Sequence, residues 1–306
     1  MYQLDHILVT LDLSDMDDFL IRYSNYLVEK FNPKSITFMH VMNTYDIPKD
    51  VLKAFPDMEE SLADIVKEDL QEKVDEHFAY TNKVKTTVLV EEGLPTEHIV
   101  QFTKDNNISL TLMGKKVGYR GRGSIVRKVM NISPSSVLLI SETTRQKIEH
   151  IMVRVDFTKI AELALRMGLQ IQKATDAKLS CHHVYKLPIK YFAQATPENE
   201  KKVKFHMEKH SRKEYAKFMK KMKLDPEKIP CTYSFDKEND EAQVLYNHAL
   251  NNGADLILIG SRLKSELGDV ILDSTSEKLA GTEKNIPVLV VKDRKTSLGF
   301  LETLFD

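Results

Sequence analysis

The chain has 306 residues, of which 42% are hydrophobic and 29% charged, and its net charge is −1. At about 150 residues per domain this length suits two domains, each large enough to bury a core of its own. The near-neutral charge excludes bulk electrostatic binding of nucleic acid, two cysteines (Cys181 and Cys231) exclude a disulfide scaffold, and no apolar run approaches the ~20 residues of a membrane span. Asp5 precedes the first apolar run and no basic stretch opens the chain, so a signal peptide is not expected. A cytoplasmic location with both thiols reduced follows.

In chain order, residues 6–12 read as a strand and 15–31 as an amphipathic helix. Residues 35–41 read as a strand, 57–80 as a helix, 84–90 as a strand and 95–106 as a helix. Residues 109–113 (strand), 124–132 (helix) and 136–140 (strand) complete the series. The polar stretch SETTRQKIEH (141–150) follows, and then the pattern starts again. His6-Ile-Leu-Val-Thr-Leu-Asp12 returns as His150-Ile-Met-Val-Arg-Val-Asp156, 144 residues later, and Ile36–Val41 returns as Leu179–Val184, 143 later. Leu110–Gly114 returns as Asp255–Gly260, offset 146 at the glycine, and Val137–Ile140 as Val288–Val291, offset 151. Four matched segments in one order define a domain duplication. The expected domains are 1–143 and 148–295, with 296–306 as a tail.

Continuous apolar strands such as Leu256-Ile-Leu-Ile259 suit a parallel sheet covered on both faces. Strand–helix alternation with right-handed crossovers makes an α/β fold: two tandem doubly wound domains, each a mostly parallel five-stranded sheet with helices on both faces. Such sheets bind ligands beyond the carboxyl ends of their strands, so the residues that follow the strands carry the functional signal. Asp12 and Asp156 end the first strand of each copy. A carboxylate there either accepts hydrogen bonds from an adenine amino group or a ribose hydroxyl, or it caps the turn into the next helix. After the fourth strand, copy one reads Gly114-Lys-Lys-Val-Gly118-Tyr-Arg-Gly121-Arg-Gly123-Ser124, with four of the chain's 11 glycines in ten residues. Glycines let a backbone approach a phosphate, Ser124 and a helix start favour an anion, and Lys115, Lys116, Arg120 and Arg122 add positive charge. The alternative is a solvated connecting loop. Copy two has Gly260-Ser-Arg-Leu-Lys-Ser-Glu-Leu-Gly268-Asp-Val-Ile-Leu-Asp273-Ser274-Thr275, where Glu266, Asp269 and Asp273 oppose a phosphate.

These strand ends and loops resemble the universal stress protein family, over nearly the whole chain twice. Ile7–Asp12, His40-Val41, Pro134…Val137–Ile140 and Ile286–Val291 match its strands. The resemblance implies the adenine nucleotide alpha hydrolase-like form of the fold. It further implies ATP or a related adenine nucleotide as ligand, with a nucleotide-associated Mg as the only metal. ATP-binding members carry G-2x-G-9x-G-[S/T] after strand 4. There the glycines and hydroxyl hold phosphates, and the strand 1 Asp and strand 2 Val contact adenosine. Carried over, the resemblance designates Asp12, Val41, Gly114, Gly118, Gly123 and Ser124 in copy one, and Asp156, Val184, Gly260 and Ser274 in copy two. Neither copy keeps the pattern intact. Copy one is four residues short, with Val117 at the second glycine and Gly118 one place late; copy two has the right length, with Leu263 and Asp273 replacing glycines. The final strand of family members often pairs across a dimer, so a tandem chain is expected to pair its domains internally, with a homodimer as the further assembly.

No catalytic set stands out. There is no GxSxG elbow, so at most slow ATP hydrolysis is expected, with no nameable base. Cys181, His182, His183, His206 and His210 lack any CxxC or HExxH spacing, and His40 matches His183 in the repeat, which points to a role in the fold. The second helices differ in charge: residues 57–76 hold nine acids and two lysines, and 201–223 hold ten Lys or Arg and two Glu. These are either solvated faces or mutually attractive surfaces, within or between chains. Two functions are therefore expected as alternatives. One is a stress-response module that binds nucleotide mainly in copy one; the other is a nucleotide-free scaffold. Neither membrane nor nucleic acid is an expected partner.

Overall fold

The computed structural model describes residues 4–42, 62–115, 124–186, 197–261, 263–266, 269–272, 274–280, 285–294 and 296–298. The chain forms two compact units: residues 1–146 with 266–270 and 292–306, and residues 147–265 with 271–291.

The first unit runs β1 (His6–Leu11), α1 (Met16–Phe31), β2 (Ser35–Met42), α2 (Leu62–His77), β3 (Lys85–Glu92), α3 (Pro95–Asp105), β4 (Leu110–Gly114), α4 (Ser124–Ile132) and β5 (Ser136–Ile140). Its strand order is β3-β2-β1-β4-β5, with every neighbouring pair parallel. The order reverses between β2 and β4 around β1, the topological switch at which such sheets open a ligand crevice. β4 and β5 are apolar and buried almost throughout because helices cover both faces of a parallel sheet. Helix α1 buries Leu20, Ile21, Tyr23 and Leu27, and the edge-to-face pair Phe38–Phe78, 5.3 Å between ring centroids, joins β2 to the end of α2. Lys292 and Arg294 bond within this unit. The Lys292 amide donates to Ser136 Oγ (3.2 Å), its Nζ to the Asn131 carbonyl (3.1 Å), and Arg294 to the Ile108 carbonyl (2.7 Å). The buried Lys292 amine is pushed down to about 7 by loss of water.

The second unit repeats the plan: β6 (His150–Arg154), α5 (Lys159–Thr175), β7 (Lys178–Tyr185), α6 (Pro197–Met222), β8 (Cys231–Phe235), α7 (Glu241–Asn251), β9 (Leu256–Gly260), short strands β10 (Leu263–Glu266) and β11 (Asp269–Leu272), α8 (Ser274–Ala280) and β12 (Val288–Val291). Its parallel sheet has the order β12-β9-β6-β7-β8. The segment after β9, expected as a loop, contains the two short strands. Gly168 lets α5 approach this sheet: a Cβ there would lie 3.0 Å from Val153 Cγ2 and 3.1 Å from Leu179 Cδ1.

The repeat extends to the turns. Leu13 (φ 61°) and Phe157 (φ 63°), 144 residues apart, both take the left-handed conformation just after the first strand of their unit, a costly backbone state for non-glycine residues. His40 Nδ1 bonds the Leu11 carbonyl at 2.9 Å, and His183 Nδ1 bonds the Val155 carbonyl at 2.8 Å. Each ring holds the end of the first strand to the second, which is the role in the fold that the repeat suggested. Among the described residues no helix is long and apolar enough to cross a membrane.

Candidate functional site

In the first unit Asp12 leaves the end of β1 and is exposed, as is Leu13. The turn that carries it is held from below by Asp17 in the first turn of α1. Asp17 Oδ1 accepts the Asp12 amide and Oδ2 the Leu13 amide, both at 2.9 Å. Asp17 is itself fully buried. Burial pushes its carboxyl up to about 6, against the opposing pull of those two amides. Asp12 also accepts the Ser14 hydroxyl, so its carboxylate takes part in the helix-entry turn and at the same time faces solvent. Val41, near the end of β2, is buried and pairs in register with Glu91. Gly114 ends β4, and the next amide, of Lys115, donates to the Ile140 carbonyl at 2.7 Å.

Gly114 has a packing reason to be glycine. A Cβ there would sit 2.5 Å from Met16 Cγ, because the start of α1 crosses directly over the end of β4. The structure thus brings Asp12, Val41 and Gly114 to the carboxyl end of adjacent strands β1, β2 and β4. Ser124 begins α4. The intervening loop, with Gly118 and Gly123, lies outside the described residues, as does the Ser124 side chain.

The second unit places Asp156, Val184 and Gly260 equivalently, and Ser274 begins α8 with its side chain outside the described residues. Gly260 is even more confined. A Cβ would lie 2.7 Å from Ile160 Cγ1 and 2.9 Å from the Ile160 carbonyl oxygen. The surroundings of Asp156 differ from those of Asp12. Arg154, the last residue of β6, points its guanidinium into this end of the sheet: Nη1 lies 3.2 Å from Asp156 Oδ2, and Nε donates to Glu241 Oε1 at 2.6 Å. Thr275 Oγ1 donates to Glu241 Oε2 at 3.2 Å, and the Thr158 hydroxyl and amide both bond Asp156 Oδ1. The Arg154, Asp156 and Glu241 side chains are only 7%, 13% and 15% exposed. One guanidinium and two carboxylates, each with a further hydroxyl, close a nearly dry polar network over the second unit's strand ends.

Arg154, Glu241, Thr275 and Asp17 were not singled out from the sequence. A signal existed for two of them. Aligning the copies at offset 144 places Arg154 opposite Thr10 and Asp17 opposite Ala161, and a charge against a small or neutral residue marks where the copies diverge. Glu241 had no such signal, because its partner lies 87 residues away.

His182, His183 and His248 pack and hydrogen-bond within the second unit, whereas His206 and His210 are exposed on α6. His182 stacks on His248 at 3.7 Å, and Thr232 Oγ1 bridges the rings at 2.7 and 2.9 Å. Cys181 is buried in register beside Cys231, and both are free thiols; burial pushes the Cys181 thiol up to about 12. Among the described residues no three His, Cys, Asp or Glu side chains gather as a metal site.

Fold and site define a class: tandem, mostly parallel, doubly wound α/β units, the first of which exposes a carboxylate at the switch point of its sheet. The universal stress protein family model matches residues 3–141 and again 147–292, and the chain belongs to the universal stress protein family as a tandem member. Three solved structures share the tandem fold. A functionally unknown protein from Pseudomonas aeruginosa PAO1 is 13% identical with TM-score 0.64, over 99% of this chain and 97% of that one. A universal stress protein from Archaeoglobus fulgidus DSM 4304 is 18% identical with TM-score 0.61, over 95% and 99%. A putative universal stress protein from P. aeruginosa UCBPP-PA14 is 14% identical with TM-score 0.63, over 99% and 98%. At these identities the likeness is one of fold. No curated protein matches in sequence.

Proposed function

We propose that the protein is a nucleotide-binding stress-response module in which the first unit takes ATP or a related adenine nucleotide and the second unit is a structural partner. One observation carries this asymmetry: Asp12 is exposed at its strand end, whereas Asp156 is engaged by Arg154 beneath the Glu241–Thr275 pair. The first unit therefore fits the adenosine end of a nucleotide. Asp12 would accept from an amino or hydroxyl group and Val41 would offer apolar contact, while Gly118, Gly123 and Ser124, which follow Gly114 in the sequence, would hold the phosphates and their Mg. The second unit does not fit, because the Asp156 carboxylate is already taken by Arg154 and by the Thr158 hydroxyl and amide. The module acts by binding, which stabilises one conformation or assembly.

The packing of Met16 on Gly114 and of Ile160 on Gly260 favours a second reading, a nucleotide-free scaffold, since both glycines are needed by the fold without any phosphate. Native mass spectrometry of the purified protein followed by calorimetry with ATP separates the two. The first reading expects saturable binding that weakens at least ~10-fold in Asp12→Ala, the loss of one charged hydrogen-bond acceptor, disappears in Gly123→Asp, and is unchanged in Asp156→Ala. No heat at millimolar ATP leaves the scaffold.

A further inference from the structure

The turn that presents Asp12 is held by one side chain. The Asp17 carboxylate divides its two oxygens between successive amides, Oδ1 to Asp12 and Oδ2 to Leu13, each at 2.9 Å. These amides bracket the Asp12 α-carbon, so holding both fixes the direction in which the Asp12 side chain leaves the backbone. The next residue, Leu13, has φ 61°, a left-handed state that persists in a non-glycine residue only where its surroundings hold it. Asp17 is 0% exposed beneath the turn, and Asp12 faces solvent above it.

The second unit supplies an internal comparison. It makes the same turn, with Phe157 at φ 63°, yet the residue 144 places after Asp17 is Ala161, buried and without a side-chain acceptor. The turn as such therefore does not require a buried carboxylate. One lies under the strand-end acid that is open to solvent, and none occupies that position under the one that Arg154 engages.

The charged groups that face Asp17 come from two elements. Asp12, at the end of β1, disfavours its ionised form, and Lys73 of α2 favours it; burial outweighs both and carries the carboxyl up to about 6. Lys73 also lies 3.8 Å from Asp18, which Arg22 and His77 approach at 3.7 and 3.6 Å. β4, over whose end α1 crosses, contains no ionisable residue.

We infer that Asp17 is a proton-operated latch on the Asp12 turn: its ionised carboxylate holds both amides and sets Asp12 for its ligand, and uptake of one proton from solvent releases one amide and weakens binding. A carboxylate accepts with both oxygens, whereas the acid turns one of them into a donor, which cannot serve an amide that is itself a donor. The ligand half of this inference rests on the reading of the first unit as the nucleotide-binding one; the latch on the turn does not. Two effects of opposite sign follow. Protonation relieves a buried charge, so the stability that Asp17 contributes to the fold rises as pH falls from about 6 towards 3.8. Affinity falls over the same range. A residue with a merely structural role moves only the first.

The test pairs NMR with calorimetry on the full chain. The Asp17 carboxyl and the Asp12 and Leu13 amides are followed by NMR from pH 8 to pH 4.5. Binding of ATP in excess Mg is measured at pH 7 and pH 5, in the wild type and in Asp17→Asn, which offers one acceptor and one donor as the protonated acid does. Circular dichroism checks that the variant folds. Titration of the ligand and of the histidines is common to both proteins and cancels in their ratio. The two amides are expected to shift with the midpoint of the Asp17 carboxyl. Wild-type affinity is expected to fall about 10-fold more than that of the variant between pH 7 and pH 5, the limit in which only the ionised form binds. The variant should bind at pH 7 as weakly as the wild type does at pH 5, relative to that common titration. Amides indifferent to the Asp17 midpoint overturn the latch, whether or not nucleotide binds. Equal pH dependence in the two proteins overturns it as well. Absence of ATP binding at both pH values, with the amides still following Asp17, refutes the nucleotide reading alone and upholds the latch.

Discussion

Removing the Arg154 guanidinium tests whether the second unit's strand end is closed by a genuine buried network. Arg154→Met keeps the aliphatic stem and deletes the charge. It leaves Asp156 and Glu241, 13% and 15% exposed, as neighbouring carboxylates without their shared cation. Breaking one partner of a buried pair costs about 3–5 kcal/mol. Here the carboxylates keep the Thr158 and Thr275 hydroxyls, which places the expected loss near the lower end, about 3 kcal/mol. Glu241→Gln retains an acceptor for Thr275 and removes one negative charge, so about 1–2 kcal/mol is expected. The pair Arg154→Met/Glu241→Gln should cost at least ~1 kcal/mol less than the two single losses together, because one uncompensated charge disappears. Urea unfolding followed by circular dichroism, at pH 7 and in moderate salt to suppress surface effects, gives the four free energies of the cycle. Additivity within about 0.3–0.5 kcal/mol, the range for independent sites, refutes the network as an energetic unit and removes the physical basis for asymmetry between the units.

Three further expectations follow from single contacts. Asp17, buried and raised to about 6 from 3.8, is favoured in its protonated form by the folded state. Its contribution to stability is therefore smallest above pH 6 and grows as pH falls from about 6 towards 3.8; a carboxyl titration by NMR that places Asp17 at 4 or below refutes this. His182 is lowered to about 3 and His248 is lowered as well, both chiefly by burial. The neutral His182–His248 stack is thus fully stabilising above pH 6.5 and is lost as pH falls below it. For His182 alone the loss between pH 7 and pH 5 is about 2 kcal/mol, and His182→Asn should shrink the pH dependence of the urea midpoint by a comparable amount. Gly114→Ala is expected to destabilise by about 1–3 kcal/mol through overpacking and to be rescued by Met16→Ala, since only the Met16 side chain obstructs it. Gly260→Ala should resist rescue by Ile160→Ala, because the Ile160 carbonyl oxygen itself lies 2.9 Å from the new Cβ; equal rescue at both sites would contradict this packing.

Much of the fold is legible in the order of apolar segments. Residues 6–12, 124–132 and 136–140, read as strand, helix and strand, are observed at 6–11, 124–132 and 136–140. The correspondence of His40 with His183 is legible too, since each ring bonds the carbonyl that ends its neighbouring strand. The site is less legible. Asp12 and Asp156 occupy the same place in the repeat and invite the same reading, yet one is exposed and the other is covered. Gly114 and Gly260 suggest a phosphate by their position after a strand, and the packing of Met16 and Ile160 supplies a second cause that sequence spacing does not contain.

The sequence by itself determines the duplication, the parallel α/β architecture and the strand ends at which chemistry can occur, because periodicity and burial are properties of neighbouring residues. Only the tertiary structure separates the two units. The crossover topology brings Arg154, Glu241 and Thr275 together from three elements, and whether a carboxylate faces solvent or a guanidinium depends on what the chain folds against it.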